Sequence, residues 1–166
     1  MSVWNMKKIK LTESKYGEFE TLVDDDIFEI FKDQKLYLDP RYKEKNFYVY
    51  IPERKGIRMK LHTFVTKAKK GEMVDHINGD GLDNRRCNLR IVTRRQNSLN
   101  SKPKSNTSSK FKGVSLAKNR KKWASRINIY GKTHHLGEFL EEEKAALAYN
   151  EAAKKHFGEY AYLNKI

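Results

Sequence analysis

Polar and apolar residues alternate along Lys7-Lys8-Ile9-Lys10-Leu11, a period of two that predicts a strand with one buried face. Phe19-Glu20-Thr21-Leu22-Val23 predicts a second strand. Residues 24–31 place Ile27, Phe28, Ile30 and Phe31 behind an Asp-rich start, which predicts a short capped helix. Tyr37-Leu38-Asp39-Pro40 ends in a turn. Residues 46–51 are aromatic and β-branched and predict a strand, which Pro52 and Gly56 separate from another over 57–61. His62-Thr63-Phe64-Val65 opens a helix that runs toward Gly71. The aromatic residues of these strands read as core, the commoner use of a strand aromatic.

A strand–loop–strand–helix pattern follows. Glu72-Met73-Val74 and Leu89-Arg90-Ile91-Val92 are the strands, and Thr93 stands at the N-cap position before a helix start at 94–99. The loop holds Asn78-Gly79-Asp80-Gly81 and Leu82-Asp83-Asn84, residues that favour tight connections. This layout sets Asp75 and His76 facing Asn97. Residues 100–110 are rich in Ser, Asn and Lys, without the apolar side chains a core needs, and read as a flexible linker. Beyond it, Gly113-Val114-Ser115 is a short strand, residues 123–129 alternate cleanly, Tyr130-Gly131-Lys132 turns the chain and residues 133–137 return it. Glu141-Glu142-Glu143 fills the first turn of a helix, where negative charge complements the dipole. Ala145, Ala148, Tyr149, Ala152 and His156 fall on one face of that helix, with Trp123 packed against it and Gly158 as its stop. His134 and His135 are strand neighbours and point to opposite faces, which speaks against a metal pair. The elements together amount to an α+β fold.

Charge changes the picture. The chain has 35 Lys and Arg against 21 Asp and Glu, a formal net charge of +14 and a pI near 9.7. The excess is uneven: residues 84–137 hold fifteen Lys and Arg and no Asp or Glu, whereas residues 13–33 are acidic and include Asp24-Asp25-Asp26. An acid-free basic half is the electrostatic footprint of a nucleic-acid partner. Cys87 is the one cysteine, so neither a disulfide nor a cysteine-based zinc site is expected, and Cys87 reads as a small loop or core residue. No stretch has the apolar length of a membrane span, and the start of the chain lacks a signal-peptide core. The expectation is a soluble intracellular protein.

The candidate chemistry lies in the loop unit. A carboxylate from Asp75 and a carboxamide oxygen from Asn97 are hard ligands suited to a Mg²⁺-like ion. His76, with an ordinary pKa of about 6.5, is able to take a proton from an attacking water. Asp-His pairs also arise by chance and Asn/Asp/Gly loops serve as plain turns, so residue types alone leave both readings open.

The runs VDHINGD, LDNRR, NLRIVT and QN within residues 74–97 resemble the HNH endonucleases, in the subgroup of phage and intron-encoded homing enzymes. The resemblance implies an endonuclease domain over 1–100 with a ββα-metal core at about 72–100. It implies His76 as general base, Asn88 as the catalytic-loop brace, and Asp75 and Asn97 as ligands of a divalent metal, Mg²⁺ first and Mn²⁺ second, with no zinc. One departure is that Asn97 stands where the last letter of the family name has His; its amide oxygen remains a metal donor. A Leu-His pair precedes the catalytic unit of that subgroup at about the distance of Leu61-His62, and a structural role for His62, on the active-site loop, follows.

Residues 111–164 are similar to the Apetala/ethylene-response-factor type of DNA-binding domain, through Phe111-Lys112-Gly113-Val114, Trp123-Ala124-Ser125-Arg126-Ile127, Leu136-Gly137-Glu138-Phe139 and Ala145-Ala146-Leu147-Ala148-Tyr149-Asn150. The similarity implies a three-stranded antiparallel sheet that enters the major groove and one helix supporting it from behind, joined to the first domain by a basic linker at 101–110. Lys112, Ser115, Lys118, Arg120, Lys122, Arg126, Asn128 and His135 are then the candidate DNA contacts, together with Arg85, Arg86, Arg94 and Arg95 near the catalytic unit. Several Arg and Trp of the plant pattern are Ser, Ala and His here, so its base code does not transfer. The expected protein is a metal-dependent endonuclease of double-stranded DNA and a homing enzyme. It acts as a monomer or weak dimer, without membrane or small-molecule cofactor, in the bacterial cytoplasm if phage-encoded. The alternatives are an inactive DNA-binding regulator and a nuclease of RNA or branched substrates.

Overall fold

A computed structural model of the chain describes residues 6–12, 17–39, 47–52, 58–103, 107–118 and 121–166. They form two compact units, residues 1–94 and 95–166.

In the first unit, β1 (Lys7–Lys10) and β2 (Glu20–Val23) pair antiparallel with Ile9 opposite Thr21. α1 (Asp25–Phe31) buries Ile27 and Phe31. β3 (Tyr37–Leu38) pairs with β4 (Val49–Tyr50), α2 (Leu61–Thr66) follows, and β5 (Met73–His76) pairs antiparallel with β6 (Leu89–Val92). Val23, Leu36, Val49 and Leu61 are almost wholly removed from water and join Ile27 and Phe31 in one cluster. Each such side chain contributes about 1.5–3 kcal/mol by leaving water. The β5–β6 hairpin is therefore carried on a core assembled from the whole unit.

Two expectations are corrected here. Of the strand read over 46–51, Asn46 lies outside the described residues and the ladder covers only Val49–Tyr50. Of the strand read over 57–61, Ile57 lies outside the described residues, Lys60 makes one isolated bridge to Tyr50, and Leu61 is already helical. Leu61 fills the core from the first position of α2, so the chain leaves the ladder one residue earlier than its β-like composition suggests. Pro40 and Gly56, read as breakers, also lie outside the described residues.

In the second unit, β7 (Val114–Leu116), β8 (Trp123–Ile129) and β9 (Lys132–Phe139) form an antiparallel sheet in that order. α4 (Glu142–Phe157) packs across it, stopped by Gly158 at φ +54. Ala145 and Ala146 meet Phe111, Val114, Trp123 and Phe139; Tyr149 and Ala153 meet Ile127, Ile129 and Leu136. Small residues on α4 let its backbone lie close to the sheet. The buried stripe is Ala145, Ala146, Tyr149 and Ala153; Ala148 and Ala152 are half-buried and His156 is exposed. At 3.6 residues per turn that stripe is rotated by roughly 60° from the expected one. Alanine is weakly hydrophobic, so a run rich in it does not show which alanines face inward.

The linker expectation also changes. Ser109 is buried, donates to Glu142 Oε1 at 2.6 Å and accepts from the Phe111 amide at 3.0 Å, which ties the end of residues 100–110 to the start of α4. Gly113 sits at φ +78, and an added Cβ would run into the Tyr149 ring and lie 2.6 Å from the Arg126 carbonyl oxygen. Gly113→Ala is expected to destabilise the second unit by about 1–3 kcal/mol through overpacking and backbone strain together. Urea unfolding checks this; an unchanged midpoint would contradict the packing described.

Candidate active site and nucleic-acid contacts

Antiparallel pairing sets Asp75 opposite Arg90 and His76 opposite Leu89. Both members of the Asp-His pair lie on β5 itself, at its end, rather than in the loop beyond it. Successive strand residues face opposite ways. Asp75, 7% exposed, accepts at Oδ2 from Arg90 Nε at 3.0 Å and Nη2 at 2.7 Å. His76, 5% exposed, turns to a cluster of rings from two other elements. Its centroid is 5.0 Å from that of His62 on α2 and 5.8 Å from that of Tyr48, and Tyr48 and His62 are 5.5 Å apart. Lys60 Nζ lies 4.4 Å from the Tyr48 centroid.

Burial depresses the His76 pKa below 6.5, against opposing pulls from its contact with Asn84 and from Asp75, Asp80 and Asp83. His62 is pushed further, down to about 3, by burial and then by His76 and Lys60. Its Nδ1 is buried without a hydrogen-bond partner. Burial thus favours the neutral form of both imidazoles.

The loop after β5 is held by its own side chains. Asn88, 6% exposed, accepts at Oδ1 from the Asn78 amide at 3.0 Å; its Nδ2 donates to Asn78 Oδ1 at 3.0 Å and to the Asp83 carbonyl at 2.8 Å. Asn78 and Asp80 in turn accept from the amides of Asp80 and Leu82, the Asx pattern that tightens turns. Asn88→Ala would strand the polar groups it satisfies and is expected to cost about 1–3 kcal/mol, read as a lower urea midpoint of the first unit. An Asn88→Ala protein of wild-type stability would show that the brace carries no weight.

Asn84, which residue-by-residue reading passed over as a turn residue, has no exposed surface. Its Nδ2 donates to Thr21 Oγ1 at 2.9 Å and the Gly81 carbonyl at 3.3 Å, which leaves Oδ1 toward His76 Nε2 at 3.4 Å. Thr21 donates to the Leu82 carbonyl at 2.8 Å, and the Leu22 amide and Asn84 amide complete the seam between β2 and the loop. The imidazole is therefore oriented by a strand more than fifty residues away. No local signal marks Asn84, Thr21, Tyr48 or Arg90 for this role.

Arg85 and Arg86, expected as DNA contacts, also make ion pairs that hold the loop. Arg85 grips both oxygens of the buried Asp83 at 2.7 Å, and that partner raises its pKa further. Arg86 binds Asp26 at 2.7 and 2.6 Å and Asp24 at 3.1 Å, while its amide donates to Asp24 at 3.0 Å. Asp24 stands at the N-cap of α1 yet makes no side-chain cap bond there. Asp24 and Asp26 thus hold the loop after β5 through Arg86.

α3 (Arg94–Leu99) follows β6 with Arg94 and Arg95 exposed and Asn97 half-buried. Within the second unit, the Arg95 guanidinium lies 3.9 Å from the Tyr130 ring centroid. Lys112, expected to reach DNA, is turned inward. Its Nζ donates at 2.7 Å to the carbonyls of Leu99 and Ser101 and sits 5.5 Å from the Tyr162 ring centroid, and burial lowers its pKa to about 8. Its backbone is clasped by Asn164, which Asn150 holds in turn. Ser115 is half-buried; Lys118, Lys122, Arg126, Asn128 and His135 are exposed; Arg120 lies outside the described residues. Arg126 stands directly opposite His135, which puts the two on one sheet face.

The braced β5–β6 hairpin with its buried Asp75-His76 pair is the candidate site. In comparison with known proteins, residues 64–99 match the family model described as HNH endonuclease. An uncharacterised HNH endonuclease of Acanthamoeba polyphaga mimivirus is 39% identical over 115 residues, covering 66% of this chain and 59% of the relative. Protein 3.8 of Escherichia phage T7 is 43% identical over 67 residues, covering 40% of this chain and 54% of the relative. The chain thus spans less than two thirds of either relative, and its match to the HNH endonuclease model lies within residues 64–99. Among the described residues no helix is long and apolar enough to cross a membrane.

Proposed function

We propose that the chain is a metal-dependent endonuclease of double-stranded DNA, with His76 as general base. The observation that supports this best is the buried His76 imidazole, its pKa pushed down by burial, next in sequence to the buried Asp75 within the HNH-matched segment. His76 takes a proton from water as the water oxygen bonds to phosphorus and one P–O ester bond breaks; the departing oxygen leaves with the electron pair. Asn84 contacts the imidazole at Nε2, and Asn88 braces the loop that follows it.

By the resemblance, Asp75 and Asn97 would supply a carboxylate and a carboxamide oxygen, donor types suited to a hard divalent ion such as Mg²⁺ or Mn²⁺. Arg90 pairs with the Asp75 carboxylate from the opposite strand position. When bound, such an ion would neutralise charge on the phosphate and on the departing oxygen.

The second unit, in the boundaries 111–164 with residues 101–110 leading in, would act as the DNA-positioning domain. Its three-stranded sheet on one helix is the architecture that the Apetala/ethylene-response-factor resemblance implies. Arg126, Asn128 and His135 on the sheet, with Lys118, Lys122, Arg94 and Arg95, are the side chains available for phosphate and groove contacts. Counterion release makes such affinity fall steeply with salt. One such centre per monomer gives a nick, and gene mobility is the role that a homing-type enzyme would serve. Plasmid cleavage with Mg²⁺ and with EDTA, run beside RNA as competitor, tests the activity and the substrate class together.

A further inference from the structure

The β8–β9 hairpin turns through two residues of positive φ, Tyr130 at +52 and Gly131 at +82, with Asn128 Oδ1 accepting from the Gly131 amide at 3.0 Å. Turns of this kind favour Asn, Asp or Gly at both central positions, because a Cβ there is strained. An aromatic residue is a costly choice at the first of them. Folding gains nothing visible from it: Tyr130 is 80% exposed and contributes to neither core cluster of the unit. The ring is nonetheless held. The Arg95 guanidinium stacks on it with its centre 3.9 Å from the ring centroid, so one face is covered and the other is open to solvent. A stacked guanidinium keeps its N–H donors at its edge, where they remain able to bind a phosphate.

Charge around the turn selects the partner. Tyr130 lies within the run 84–137 that contains no acidic residue, with Lys132 exposed beside it and Arg126 and Asn128 exposed along β8. A flat, rigid π-face at the tip of a basic hairpin matches a nucleobase, and its cationic neighbour matches the adjoining phosphate. We propose that Tyr130 and Arg95 form a nucleotide-binding element of the DNA interface, in which Tyr130 stacks on a base of the duplex substrate at an opened base step and Arg95 contacts the neighbouring phosphate. This rests on the DNA-endonuclease reading above. It adds a contact to base faces, made by the hairpin tip, to the polar contacts of the sheet.

The turn chemistry supplies the test. Tyr130→Asn installs a residue suited to the turn, so the variant folds with a melting temperature equal to or above that of the wild type. Its affinity for duplex DNA should nevertheless fall about tenfold, the loss expected for one base–aromatic stack. Tyr130→Phe and Tyr130→Trp should bind within about twofold of the wild type. A duplex carrying 2-aminopurine, walked through the bound site, should show a position whose emission changes with wild type and not with Tyr130→Asn. If wild type binds duplex DNA and Tyr130→Asn binds it equally, with the same 2-aminopurine profile, the stacking element is wrong and the endonuclease reading is untouched. If the loss appears on single-stranded DNA alone, the assignment to duplex is overturned. If wild type binds no DNA, the reading beneath the proposal falls with it.

Discussion

His76→Gln is expected to cleave DNA some 10²- to 10⁴-fold more slowly than the wild type, while binding it with unchanged affinity. The size follows from the usual worth of a positioned general base. The geometry makes glutamine the sharper variant than alanine, since its amide is able to pair with Asn84 and fill the space between His62 and Tyr48. A packing role alone would then be largely restored, and a proton-accepting role would not. The pH dependence carries a sign as well. Burial lowers the His76 pKa, so the base is already neutral at pH 7 and the acid limb of cleavage should lie below pH 6.5. Single-turnover rates from pH 5 to 8 measure both. A Gln variant that cuts at the wild-type rate would remove His76 from the chemistry.

Acidification should unfold the first unit early. His62 titrates near 3 in the folded protein and near 6.5 when unfolded. Between those values the unfolded chain binds the extra proton, so stability rises with pH across this window and is lost as pH falls from 6.5 toward 3. Moving from pH 6.5 to 4.5 should then cost about 2–3 kcal/mol from this group alone, at up to about 1.4 kcal/mol per pH unit. Asp83 adds in the same direction at lower pH: burial raises its pKa, but the Arg85 bond outweighs this and holds the carboxyl below its ordinary range. Urea midpoints at pH 7 and 4.5 read the loss, and His62→Phe should remove most of the His62 part. Equal midpoints at the two pH values would mean that His62 is not buried as described.

Local pattern carried much of this fold. The alternation of residues 123–129 defines β8 to the residue, and the Asp-rich start at 24 marks the beginning of α1 within one position. The hairpin around Asp75 and His76 followed from its Asn/Gly/Asp loop, because turn residues impose their geometry locally. What local pattern does not reveal is which polar groups meet across the chain. Arg85 and Arg86 look like free cations in sequence, yet acidic residues at 24, 26 and 83 engage them. Lys112 looks like a surface lysine until the carbonyls of Leu99 and Ser101 close on its ammonium. Asn84 and Thr21 are sixty-three positions apart, and only the folded pairing of β2 with the loop brings them together beside His76. Tyr130 is the opposite case: its rule-breaking place in a turn is visible in sequence, but its partner Arg95 is not.

The most direct measurement is cleavage of supercoiled plasmid by the wild-type chain and by His76→Ala, each with Mg²⁺ and with EDTA, alongside a DNA-binding assay. The account predicts nicked or linear product from the wild type with Mg²⁺ only, and from His76→Ala binding without product. If both proteins shift the DNA equally and neither cuts it with any divalent ion, the chain is a DNA-binding protein on an HNH scaffold, and the catalytic account is wrong.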